Sequence, residues 1–96
     1  PWVILSAGVD FETFKNQVTI ACKAGGSGFL GGRAIWQEAM ELAGRDERIK
    51  FFRSVAVSRL RELAEIAEKN GRPWHEKFGL RAGKLSDINQ DWYSHY

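Results

Sequence analysis

The sequence predicts an α/β fold built on a parallel β-α-β unit, and three features carry that expectation. Trp2-Val3-Ile4-Leu5 is a continuous apolar run closed by Ser6-Ala7-Gly8, the pattern of a strand buried on both faces, as in a parallel sheet. Gly28 to Gly31 is a second short strand of the same kind. Between them Phe11, Phe14, Val18 and Ala21 recur at spacings of three and four, so a helix turns one apolar stripe to the sheet and leaves Glu12, Lys15, Asn16 and Lys23 to water. A crossover of this length joins parallel strands and is right-handed.

Each boundary has a chemical reason. Asp10 stands before the helix as its N-cap, with Val9 and Phe14 at the positions of a hydrophobic staple. Gly25 ends the helix, because the residue after a C-cap takes a left-handed conformation that glycine adopts without strain. Gly26-Ser27 turns the chain into the second strand. Ala34 to Ala43 is rich in helix formers and is stopped by Gly44. A longer helix is predicted from about Asp46 to Lys69, with Ile49, Phe52, Ala56, Leu60, Leu63 and Ala67 as its apolar stripe. Asp46 and Glu47 in its first turn and Lys69 in its last complement the helix dipole, and Glu65 with Lys69 forms an (i, i+4) pair. Asn70-Gly71-Arg72-Pro73 closes it. Trp74 to Tyr96 is irregular, with a turn of helix expected at Asp87 to Tyr93. The organisation predicted is therefore two β/α units over residues 1–70 and an extension of unknown role over 71–96.

Composition narrows the function classes. A chain of 96 residues is one small domain or part of a larger one, and 44% hydrophobic residues with four Trp and six Phe argue for a packed core. Its 14 Lys and Arg are interleaved with 12 Asp and Glu, so no nucleic-acid footprint is expected. Cys22 is the only cysteine, which excludes an intrachain disulfide and fits a reducing, cytoplasmic setting; on the helix beside its stripe it reads as a small core residue. No basic leader precedes the first apolar run, and none of the runs approaches the ~20 residues of a membrane span, so no membrane partner is expected. Opening without Met inside an apparent strand, the chain is expected to be a piece of a longer protein. His75 and His95 are too few for a metal site, and no cofactor is expected.

The chemistry concentrates in Gly28-Phe29-Leu30-Gly31-Gly32-Arg33-Ala34. A strand ending in glycine lets a ligand approach the backbone, a helix start offers unpaired N–H groups, and Arg33 adds a positive fork, which together describe an anion cradle. The alternative is a glycine turn with a surface arginine. Gly26 to Gly31 also matches G-x-G-x-x-G, but a dinucleotide-binding β-α-β unit would need Val18 to Cys22 as its strand, against the helical rhythm there. A Walker-type loop fails because Gly32 stands where its lysine belongs. In a (β/α)₈ TIM barrel, phosphate often sits between the loops after strands seven and eight and the start of a short extra helix. Ser6-Ala7-Gly8, Gly31-Gly32-Arg33 and the Ala34 to Ala43 segment supply those three parts.

Leu5-Ser6-Ala7-Gly8-Val9, followed by Ala24 to Trp36 with its Gly-Gly-Arg, resembles the last two strands of class I, Schiff-base aldolases of the tagatose-1,6-bisphosphate and sulfofructose-phosphate type, over about Trp2 to Lys69. The resemblance implies the C-terminal segment of a TIM barrel, holding its last two β/α units, plus a C-terminal extension. It further implies that Ser6, Ala7 and Gly8 on one loop, and Gly31, Gly32 and Arg33 on the other, hold a substrate phosphate. Gly31 departs from the family, where Ala is expected, and should loosen the backbone without removing a donor. The family's imine-forming lysine closes a strand, and no lysine here does, so the resemblance implies that it lies upstream of Pro1 and that this chain contains no catalytic residue. The function implied is a phosphate-binding segment of an enzyme, an aldehyde-lyase of carbohydrate metabolism, that reversibly cleaves a ketose phosphate to dihydroxyacetone phosphate, or an analogue, and an aldehyde. The alternative is a non-catalytic anion-binding or interaction fragment. Two strands cannot close a barrel, so the remainder of the barrel or self-association is expected to cover the sheet.

Overall fold

The computed structural model describes residues 1–81, 91 and 94. Strands β1 (Val3–Leu5) and β2 (Gly28–Leu30) pair in parallel, with Val3 opposite Gly28, Ile4 opposite Phe29 and Leu5 opposite Leu30. Helix α1 (Phe11–Lys23) connects them. After β2 come α2 (Arg33–Trp36), a 3₁₀ segment (Gln37–Glu41), α3 (Arg45–Phe51), a π-helical turn (Phe52–Ala56) and α4 (Val57–Asn70). A 3₁₀ segment, Trp74–Phe78, follows. His95, Lys84 and, apart from Asp91, the turn of helix expected at 87–93 lie outside the described residues.

The ends of α1 are built as the sequence requires. Asp10 Oδ1 accepts the Thr13 N–H at 2.9 Å, and its Oδ2 accepts the Thr13 hydroxyl at 2.8 Å. Val9 and Phe14 both join the core, which completes the staple. At the other end Gly25 takes φ +102°, its N–H bonds Cys22 O, and the Gly26 N–H bonds Ala21 O, the two bonds of a Schellman closure. The Thr13 amide holds the Asp10 carboxyl below the usual carboxylate range. A depressed folded pKa adds stability that is complete above the unfolded pKa and is lost as pH falls through the folded one. Asp10→Ala is therefore expected to lower the Tm at neutral pH and to flatten its dependence on pH below about 4, which thermal melts across that range would check.

The core lies between the sheet and the helices: Phe14, Val18 and Cys22 of α1, Ala34 and Ile35 of α2, Ala56 of the π turn and Leu63 of α4. Lys15 links α1 to α4, with its Nζ 2.9 Å from Glu12 and 3.1 Å from Glu62. The Glu65–Lys69 pair expected from spacing is not formed among the described residues. No helix among them is long and apolar enough to cross a membrane.

Three expectations are corrected. The strands are not buried on both faces. Ile4 and Phe29 pack against the core, while Val3, Leu5 and Leu30 remain 49%, 58% and 64% exposed on the other side of the pleat. The helix read from Ala34 to Ala43 breaks at Trp36, where φ −130° and ψ 1° leave the α region and a 3₁₀ segment takes over. The long helix is interrupted by its π turn, which adds a residue to one turn and re-aims everything before it. Phe51 rather than Phe52 consequently packs on the core, five positions from Ala56. Leu60, assigned to the stripe, is half exposed, and Arg59 occupies the inward position beside it.

Candidate functional site

Both strands end at the same rim. The ladder extends one residue past β1, where the Ser6 N–H donates to Leu30 O at 3.3 Å, and the chain then reverses as Val9 N–H bonds Ser6 O at 3.1 Å. The two residues inside that turn, Ala7 (φ +50°) and Gly8 (φ +79°), both lie in the left-handed region, so this is a tight primed turn. Among the described residues the Ala7 and Gly8 amides have no acceptor. Ser6 is buried, and its Oγ accepts the Gly32 N–H at 3.4 Å, which ties the loop after β1 to the loop after β2.

Arg33, the first residue of α2, folds back over the first loop. A Cβ on Gly8 would lie 2.8 Å from Arg33 Nη2 and 2.9 Å from its Cζ, so the guanidinium rests against the Gly8 backbone in space that only glycine leaves open. Gly31 meets a different demand: a Cβ there would sit 2.8 Å from Ile35 Cδ1 and 3.2 Å from Phe14 Cε1. The glycine expected to loosen the loop instead lets the core close up beneath it. Gly32 caps α2, and Trp36 stands beside it.

All six residues read from the sequence, Ser6, Ala7, Gly8, Gly31, Gly32 and Arg33, line one open groove of about 390 Å³, walled by Leu5, Leu30 and Trp36. Among the described residues no carboxylate lines that groove. Gly8 and Arg33 also line a second cavity, of about 290 Å³, which carries Asp10, Glu38 and Glu41. Arg33 makes no ion pair among the described residues. An anion beside it is therefore favoured on the carboxylate-free side, where no like charge opposes it. Gly8→Ala is expected to cost about 1–3 kcal/mol through backbone strain and to push the guanidinium off its seat. Chemical denaturation, together with the loss of nuclear Overhauser contacts between residues 8 and 33, would check both effects.

Sequence reasoning missed Arg59. Its Nη1 and Nη2 fork the Glu38 carboxylate at 2.9 and 2.7 Å, and Nη1 also donates to Ala34 O at 3.3 Å and Ile35 O at 3.1 Å. The guanidinium lies 5.1 Å from the Phe11 ring centroid and 5.8 Å from that of Phe51. The signal available was spacing: Arg59 falls between Ala56 and Leu63 at three and four residues, on the inward face.

Other chemical candidates are placed away from the rim. Lys15 and Lys23 lie on α1, Lys50 on α3, Lys69 on α4 and Lys77 in the last 3₁₀ segment, so no described lysine closes a strand. Cys22 is buried, and that burial pushes its thiol pKa up, which suits packing rather than nucleophilic attack. His75 lies 2.9 Å from Leu80 O through Nδ1, and no metal-binding cluster occurs among the described residues. Val18 to Cys22 belong to α1, so the G-x-G-x-x-G match has no strand before it.

These features define an α/β segment whose polar groups converge on the carboxyl ends of two parallel strands. No protein-family model matches the chain. It is similar to tagatose 1,6-diphosphate aldolase 2 of Streptococcus mutans, 32% identical over 85 residues that take in 83% of this chain and 26% of the relative. It is also similar to tagatose 1,6-diphosphate aldolase 1 of Streptococcus pyogenes, at 34% over 82 residues, 80% of this chain and 25% of the relative. Aldolase 2 of that species is 29% identical over 82 residues. Over about four-fifths of its length the chain is a homologue of the tagatose 1,6-diphosphate aldolases, and it spans about a quarter of the length of the relatives it matches.

Proposed function

We propose that the chain is the phosphate-binding segment of a class I aldolase acting on a ketose phosphate, with residues 1–70 as the last two β/α units of its barrel and 71–96 as an extension. The observation that carries this reading is the convergence of Ser6-Ala7-Gly8 with Gly31-Gly32-Arg33 on one carboxylate-free groove at the strand ends. Arg33 neutralises the phosphate, and the turn amides near Gly8 fix its position. Held there, the substrate's far end is oriented toward an imine-forming lysine outside this segment, so binding energy at a remote group serves the reacting carbonyl. The bare sheet face of Val3, Leu5 and Leu30 supports the same reading, because the remainder of a barrel would cover it.

Dihydroxyacetone phosphate titrated into the chain is expected to shift the amide resonances of Ala7, Gly8, Gly32 and Arg33. Borohydride added to that mixture should leave no covalent adduct. Shifts confined to other residues would overturn the phosphate assignment, and a trapped adduct would overturn the assignment of the lysine to another segment.

A further inference from the structure

We propose that Arg59 is a positioning residue for Arg33, holding the short helix that aims the guanidinium at Gly8. This deepens the reading of Arg33 as the phosphate ligand and rests on it for its functional consequence. Helix α2 has only four residues, too few to hold its own geometry, and it breaks at Trp36 immediately after its single turn. The carbonyls of Ala34 and Ile35 are those whose α-helical partners would fall beyond that break. Arg59 supplies donors to both, and its remaining edge forks Glu38 one turn further on. A single side chain from α4 thus secures both sides of the interruption. Phe11 at the start of α1 and Phe51 at the end of α3 flank its guanidinium, which fixes the height at which it enters. Glu38 is held below the usual carboxylate range chiefly by its hydrogen bond to Arg59, in keeping with a pair that stays charged and closed.

The geometry demands arginine in particular. Two carbonyls and a bidentate carboxylate need a planar array of donors, whereas the lysine ammonium is a compact charge whose three diverging donors cannot reproduce the fork. Arg59→Lys therefore preserves charge and most of the stem's packing and removes only the fork. Nothing about Arg33's own contacts changes directly, because its guanidinium rests on Gly8 and no hydrogen bond or ion pair among the described residues joins it to α4.

The test uses the full chain with two readouts, nuclear Overhauser contacts between the residue 33 guanidinium and Gly8, and the affinity for inorganic phosphate. In Arg59→Lys those contacts should weaken while the circular dichroism stays native, and phosphate affinity should fall about tenfold, the worth of one charge-assisted hydrogen bond. Glu38→Gln, which retains the carbonyl contacts, should produce a smaller loss of both. Arg33→Ala combined with Arg59→Lys should bind no more weakly than Arg33→Ala alone, because the second change acts through the first. Intact contacts and undiminished affinity in a folded Arg59→Lys chain would overturn the proposal, as would losses that multiply in the double variant. If Arg33→Ala alone binds phosphate normally, the phosphate reading fails, and the residue 33 to Gly8 contacts still decide whether Arg59 positions Arg33.

Discussion

In a complete enzyme containing this segment, Arg33→Ala is expected to raise KM for a phosphorylated ketose about a hundredfold, the loss of paired, charge-assisted hydrogen bonds to an anion. An unphosphorylated analogue should be nearly unaffected. The asymmetry follows from where Arg33 stands. It is exposed, and among the described residues it makes no ion pair, so its removal breaks no bond that holds the fold. Its removal should therefore leave the Tm almost unchanged, which separates a binding role from a structural one. Arg33→Lys should fall between the two, because it keeps the charge and loses the fork. Steady-state kinetics on the substrate pair decides the matter: equal losses on both would mean that Arg33 supports the fold and not the phosphate.

The parts of this fold legible in the sequence are those fixed by local chemistry. Asp10 caps α1, Val9 and Phe14 both pack into the core, and Gly25 with Gly26 closes the helix because each motif lies within a few residues and has one favoured geometry. The six groove residues were legible for a related reason, since glycine and arginine at strand ends announce themselves by type. What could not be read depended on partners distant in sequence. Apolar runs in β1 and β2 do not say whether a second layer covers their outer face, and here Val3, Leu5 and Leu30 have none among the described residues. The π turn at Phe52–Ala56 shifts the inward face before it by one residue, so a stripe counted at uniform spacing assigns Phe52 where Phe51 stands. After the turn, spacings of three and four from Ala56 admit both Arg59 and Leu60, and the apolar residue is chosen. Arg59 itself reads as a solvated charge until Glu38 and the Ala34 and Ile35 carbonyls, more than twenty residues earlier, are brought beside it.

Phe14→Ala is expected to destabilise the chain by about 3–5 kcal/mol, a large fraction of the roughly 5–15 kcal/mol that holds a whole domain folded. Phe14 is fully buried and, among the described residues, contributes more volume than any other fully buried side chain. It packs edge-on against Phe29 with ring centroids 6.2 Å apart, so it binds α1 to β2. Its ring edge also fills the space under Gly31, 3.2 Å from where a Cβ would be. A cavity there opens beside Gly31, which lines the groove, as well as at the centre of the core. The neighbours cannot close over it, because Gly31 has no side chain to move in and Ile35 is already packed against the same point. Phe14→Leu, which keeps most of the volume, should cost less than about 1.5 kcal/mol and retain phosphate binding. Urea denaturation followed by circular dichroism would give both values, and a loss below about 1 kcal/mol for Phe14→Ala would mean that the sheet and α1 are held together by something other than this contact.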